Sequence, residues 1–236
     1  MLNPLGKTVY KNLANVVSIL GVLPVAILFV KDGYQYLIPL IVYNNIMDDL
    51  DGILAAKLNI KSRFGAILDN ICDAIAHTVF VMVVGMHVGV DYGGVWGVVF
   101  AAFSLLAATS LIIRVVSRLD PAAVTGTGSP TNELARHILV ILLLSQIFGF
   151  APAPLLIMVF VLHTVSMLVP YRMPWLVRSL TKSPTAIGLL NVSLIVAWLV
   201  PYTTPLIAAA FLLSYLLSFA WGGIWWIKSL KAGAPA

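Results

Sequence analysis

Residues 48–73 read DDLDGILAAKLNIKSRFGAILDNICD and hold five of the nine acidic residues in a chain of 236. The sequence on either side is nearly pure hydrocarbon. An ionised carboxylate near the centre of a bilayer costs roughly 2.5–3.5 kcal/mol, so acids in such a setting point to function. Working outward, the whole chain is 61% apolar and 10% charged, with a mean hydropathy of +1.01. Ordinary soluble domains are about 25% charged. Hydrophobic runs recur along the entire length, too many for one buried core, which predicts an all-α polytopic integral membrane protein. A net charge of +5 would suggest nucleic acid for a soluble chain. Here it fits the Lys and Arg excess of cytoplasmic loops, and no nucleic-acid partner is expected. With Cys72 as the single cysteine, no intrachain disulfide can form. Two lysines before the first apolar run resemble a signal peptide, but no small-residue cleavage site follows and the run is long enough to span. It is read as a helix of the mature protein.

Eight spans are predicted, at about 13–30 with a kink at Pro24, then 36–58, 64–88, 94–116, 134–150, 155–169, 187–199 and 205–227. Ser129-Pro130 has the pattern of an N-cap followed by proline at the first helical position. With this count, Lys7, Lys11, Lys57, Lys61, Arg63, Arg114, Arg118, Arg136, Arg172, Arg178, Lys182, Lys228 and Lys231 fall on one side of the membrane. Lys31 alone falls on the other. Such asymmetry predicts both termini in the cytoplasm. Residues 1–236 form one membrane domain in this reading. Within it, residues 1–12 either lie at the headgroup interface or fray, and residues 36–88 form a helical hairpin.

The hairpin gives the acids a geometry. Asp48, Asp51, Gly52 and Ala55 share one helical face, and Gly65, Asp69 and Asp73 share another. Counted from a turn near Lys61, Asp48 lies 13 residues back and Asp73 12 forward, while Asp51 lies 10 back and Asp69 8 forward. Four carboxylates are thus expected near one height, with small residues leaving room beside them. They would repel one another unless a cation sits among them. Hard oxygen ligands suit Mg²⁺ or Mn²⁺, and a pair of ions suits phosphoryl chemistry. The plainer alternative pairs these acids with Lys57, Lys61 and Arg63 at the surface, which accounts poorly for mirrored spacing. Asp49 lies outside the pattern and is read as a surface or supporting acid.

Asp48-x2-Asp51-Gly52-x2-Ala55-x9-Gly65-x3-Asp69-x3-Asp73 resembles the signature of the CDP-alcohol phosphatidyltransferase family. The resemblance implies a metal-dependent enzyme of phospholipid biosynthesis, with Mg²⁺ or Mn²⁺ held as a pair by Asp48, Asp51, Asp69 and Asp73. It implies Asp73 as general base on the incoming alcohol, and Gly52, Ala55 and Gly65 beside the CDP moiety. The phosphatidyl group of a CDP-linked lipid, CDP-diacylglycerol first, would pass to a small polar alcohol with release of CMP. The setting implied is a bacterial inner membrane with the active site facing the cytoplasm. The family's pattern has Arg directly after the Ala, where this chain has Ala56 and then Lys57. Lys57 is turned about 100° around the helix, and Arg63 is the other residue able to compensate.

Eight spans resemble the phosphatidylserine and bacterial phosphatidylcholine synthase branches, which makes L-serine the first acceptor to consider. Choline, glycerol phosphate and inositol phosphate acceptors remain alternatives. Lys57, Arg63, Arg114, Arg118, Arg136 and Arg172 are candidate phosphate or acceptor contacts, against the simpler role of topology-determining charges. His77 and His137 lie near the predicted site, His87 and His163 have no evident partner, and Cys72 is read as a packing residue. A homodimer is a further arrangement considered. Outside enzymology, an inactive relative and a divalent-cation transporter are the alternatives, although transporters spread their ligands over several helices.

Overall fold

The computed structural model describes residues 4–119, 130–171, 173–174, 176 and 183–232. Every regular element among them is helical. A short helix α1 (Pro4–Lys11) leads into α2 (Leu13–Val22), which continues as a 3-10 segment over Leu23–Phe29. The change of helix type coincides with Pro24, which removes an amide donor and crowds the preceding turn. A second 3-10 turn, Gly33–Tyr36, precedes α3 (Leu37–Lys57). The rest are α4 (Arg63–Tyr92), α5 (Gly94–Leu119), α6 (Pro130–Phe148), α7 (Ala153–Leu168), α8 (Pro184–Leu199) and α9 (Thr204–Lys231). Pro130 opens α6 as the sequence predicts, four residues earlier than the apolar run, while Ser129, its expected cap, lies outside the described residues. Arg172, Arg178 and Lys182 also lie outside them.

Among the described residues, α4, α5, α6 and the segment Pro201–Lys231 are long and apolar enough to cross a membrane. Leu13–Phe29, α7 and α8 are apolar but shorter. Their outward faces carry large exposed hydrophobics such as Val95, Trp96, Val98, Met158, Leu189 and Leu206, the surface expected of a lipid-facing bundle. Inside, one cluster of buried apolar side chains draws on every helix from α3 to α9.

Of the helices long enough to cross a membrane, α6 is the most thoroughly buried. All residues from Pro130 to Leu143 are buried, and α6 touches α3, α4, α7, α8 and α9. Its first turn is nonetheless polar: Thr131, Asn132, Glu133, Arg136 and His137 are all buried. Buried polar groups need partners, and the neighbouring helices provide them. His137 Nδ1 lies 3.0 Å from His163 Nε2 on α7, and the Tyr215 hydroxyl of α9 lies 3.1 Å from His163 Nδ1 while also bonding Ser166. His163 therefore has partners the sequence did not reveal. So does His87, stacked on Tyr34 with ring centroids 3.5 Å apart and 3.8 Å from Asp91.

Helices α4 and α5 form a tight hairpin turned by Gly93 and Gly94, both at positive φ. Small residues let the two backbones meet. A Cβ on Gly97 would sit 2.2 Å from the carbonyl oxygen of Gly89. Gly97→Ala is expected to destabilise the purified protein by about 1–3 kcal/mol, seen as a lower Tm in detergent. Gly188→Ala, where a Cβ meets nothing within 4 Å, should leave Tm unchanged or raised.

Candidate functional site

The acidic stretch folds as two helices joined by residues 58–62, with Asn59 in the left-handed region at φ 54°. Ser62 caps α4, its hydroxyl accepting from the Gly65 amide at 2.9 Å. Helix α2 packs against both α3 and α4 and closes the third side. Between these three helices lies a cleft of about 280 Å³, lined by Ala14, Asn15, Ser18, Asp51, Gly52, Ala55, Ile60, Lys61, Ser62, Gly65, Ala66 and Asp69.

At the head of the cleft, oxygens of Asp48, Asp51 and Asp69 lie within 4.8 Å of one another. Asp48 and Asp51 are buried and Asp69 is half-buried. Two of the three are oriented by side chains from other helices. Asn132 Nδ2 on α6 donates to Asp48 Oδ2 at 2.8 Å, and the Ser18 hydroxyl on α2 donates to Asp51 Oδ2. Carboxylates so close, in so little water, repel strongly unless positive charge lies between them. An all-oxygen donor set fits a hard divalent cation such as Mg²⁺ or Mn²⁺.

Asp73 stands one helical turn beyond Asp69 and is half-buried. The oxygens within 4.8 Å of one another belong to Asp48, Asp51 and Asp69, and Asp73 follows on the same helix as Asp69. Helix α2 packs against both α3 and α4.

Gly52, Ala55 and Gly65 all line the cleft. A Cβ on Gly65 would lie 2.9 Å from Asn15 Oδ1, so a side chain there would collide with α2. A Cβ on Gly52 would meet nothing within 4 Å. Its bare backbone faces open cleft.

The basic candidates separate. Of the three basic residues near the turn, Lys61 lines the cleft, whereas Lys57 and Arg63 are exposed and do not. Ala56 is exposed as well and is not among the lining residues. Arg114 on α5 is buried, and Arg136 on α6 is 0% exposed. The sequence placed Arg136 among cytoplasmic topology charges; the structure removes it from solvent. Arg118 falls in the last turn of α5, and Arg172 lies outside the described residues.

Several residues that the sequence did not single out complete the site. Asp49 is buried, which fits the supporting rather than the surface alternative: Oδ2 accepts from Asn191 Nδ2 of α8 at 2.8 Å and lies 3.5 Å from Asn45 Nδ2. Asn45 Nδ2 donates to Asn191 Oδ1 at 2.7 Å, and Arg136 Nε donates to Asn45 Oδ1 at 2.9 Å. The signal available was their polarity: Asn15, Ser18, Asn45 and Asn191 interrupt apolar runs, where polar side chains are retained for a partner.

The open space at Gly52 separates stability from ligand binding. Gly52→Leu is expected to leave Tm within a few degrees of the wild type. With Gly52 beside the CDP moiety, as the motif's resemblance implies, CMP should bind at least ~10-fold more weakly, since the side chain fills the open space at the cleft wall. Calorimetric titration with CMP in the presence of Mg²⁺ measures both sides of this expectation.

The family model for CDP-alcohol phosphatidyltransferase matches residues 11–171, more than half of the chain and all of the acidic stretch. An uncharacterized protein of Aquifex aeolicus (strain VF5) is 28% identical over 102 residues, covering 43% of this chain and 51% of that protein. The chain thus spans about half the length of that curated relative. No solved structure matches it. By its acidic motif and the extent of the family match, the chain belongs to the CDP-alcohol phosphatidyltransferase family.

Proposed function

We propose that this protein transfers the phosphatidyl group of CDP-diacylglycerol to a small polar alcohol, L-serine first, releasing CMP at the cytoplasmic face of a bacterial inner membrane. The observation that carries the reading is the grouping of Asp48, Asp51 and Asp69 at the head of a cleft whose wall at Gly52 is open backbone. Family membership supports phospholipid head-group transfer in general and leaves the transporter alternative without support.

Asp48, Asp51 and Asp69 would hold the divalent metal, with Asp73 adding a contact from the next turn of α4. When bound, a pair of Mg²⁺ or Mn²⁺ ions supplies positive charge that attracts the diphosphate and stabilises the charge developing on CMP. Asn132 and Ser18 fix the directions of two of the carboxylates, so little reorganisation is left for the reaction itself. Gly52, Ala55 and Gly65 let the cytidine approach the cleft wall, and Lys61 places a cation beside the phosphates. Lys61 lines the cleft and in this reading supplies positive charge there, although Ala56 stands at the family's arginine position.

Asp73 takes the proton of the acceptor hydroxyl as its oxygen bonds to the lipid-bearing phosphorus. The bond from that phosphorus to the bridging oxygen breaks, and the electron pair leaves with CMP. One proton moves, one P–O bond forms and one breaks, so no other reactant is needed.

Purified protein with Mg²⁺ or Mn²⁺ and labelled CDP-diacylglycerol should release CMP only when the right alcohol is present. Serine, choline, glycerol 3-phosphate and inositol phosphate are tested in parallel. Chelation should abolish release, and Asp73→Asn should lower kcat by at least ~100-fold. Lys61→Ala should raise the KM for the donor with less effect on kcat. No metal-dependent release with any acceptor would refute the proposed function, and an unchanged kcat in Asp73→Asn would remove the base assignment.

A further inference from the structure

The transfer chemistry makes no use of Glu133 and Arg136, yet these are the most deeply buried charged pair among the described residues. Glu133 is 1% exposed and Arg136 is 0% exposed. Arg136 Nη1 donates to Glu133 Oε1 at 2.9 Å, and Nε donates to Asn45 Oδ1 at 2.9 Å. The other half of each group is unused: Arg136 Nη2 and Glu133 Oε2 are buried without a hydrogen-bond partner among the described residues.

A pair serving only the fold would be expected to close on itself, since guanidinium and carboxylate can join through two parallel bonds. Here they join through one. A cationic donor and an anionic acceptor are left over on the two members of one buried pair. Buried charged groups left half-satisfied are costly, so this arrangement calls for a ligand that completes both.

The position of the pair suits the second substrate. Asn132 bonds Asp48, and Arg136, one helical turn further along α6, bonds Asn45, one turn back along α3. The pair therefore approaches the carboxylates from α6, whereas the cleft approaches them from α2, α3 and α4. In-line displacement at phosphorus puts the attacking oxygen opposite the leaving group. With CMP in the cleft, the acceptor alcohol belongs on the α6 side.

The chemistry of the two unused atoms selects the acceptor. A ligand carboxylate can take the Arg136 Nη2 donor, and a ligand ammonium can give a proton to Glu133 Oε2. A phosphate would meet Arg136 but be repelled by Glu133. A quaternary ammonium has no N–H for Glu133 and leaves Arg136 unsatisfied. We infer that Glu133 and Arg136 are the recognition residues for the acceptor, and that the acceptor is a zwitterionic hydroxy amino acid. This rests on the transferase reading above and narrows it to one substrate class. Both atoms lie out of solvent, so an acceptor held there is kept from water that would hydrolyse the donor.

The test uses the full-length wild-type protein with Mg²⁺ and CDP-diacylglycerol, and acceptors that lack one group at a time. L-Serine carries both groups, ethanolamine lacks the carboxylate, 3-hydroxypropionate lacks the ammonium, and glycerol 3-phosphate replaces both. Serine should exceed each of the others in kcat/KM by at least ~10-fold, because each omission leaves one buried charge unpaired. In addition, Glu133→Gln and Arg136→Lys should raise the KM for serine at least ~10-fold while the KM for CDP-diacylglycerol stays close to wild type, even though the Tm falls. CMP release that prefers glycerol 3-phosphate, ethanolamine or 3-hydroxypropionate overturns this inference and leaves the transferase reading standing. Variants that lose activity equally with every acceptor, through lower kcat at unchanged serine KM, also overturn it. Should either variant fail to fold, the wild-type acceptor series decides alone. Absence of CMP release with all acceptors would refute both readings together.

Discussion

Three carboxylates whose oxygens approach within 4.8 Å cannot all remain ionised in an apolar helix bundle without a cation among them. That constraint organises the rest of the molecule. It accounts for the polar side chains that reach in from α2 and α6, since Ser18 and Asn132 hold Asp51 and Asp48 at fixed angles. It also accounts for the glycine in the cleft wall. A ligand carrying phosphates can bring its backbone contacts close to such a centre only where no side chain stands, and Gly52 leaves that space.

The arrangement also explains why α6 is buried along most of its length although it starts with a polar turn. Asn132, Glu133, Arg136 and His137 are each tied to a neighbour: Asp48, Asn45 and His163, or one another. These bonds are directional, and in a low-dielectric interior an unmade one is costly, so they set the register of α6 against α3 and α7. Asn191 does the same for α8 through Asp49 and Asn45. Apolar packing alone would allow these helices to slide; the polar pairs do not.

Much of this was legible in the sequence because it depends on spacing within a single helix. Asp48, Asp51 and Gly52 lie on one face of α3, and Gly65 and Asp69 lie on one face of α4, whatever the rest of the chain does. The kink at Pro24 and the start of α6 at Pro130 are likewise local consequences of proline. What depends on contacts between helices was not legible. Arg136 looked like a loop charge because the apolar run starts beside it, yet its partners lie 91 and 3 residues away. Asp49 was set aside because it breaks the motif, but its partner Asn191 is 142 residues distant.

The most direct test of the central claim is a titration of the purified protein with Mn²⁺ followed by electron paramagnetic resonance, with no lipid substrate present. Wild-type protein should remove Mn²⁺ from the free aqueous signal at a stoichiometric site, and Mg²⁺ should compete for it. Asp48→Asn, Asp51→Asn and Asp69→Asn should each weaken that binding at least ~10-fold while the helical signal in circular dichroism is preserved. Mn²⁺ that stays free in the wild type, or that binds equally well when these three aspartates are replaced, would contradict the account.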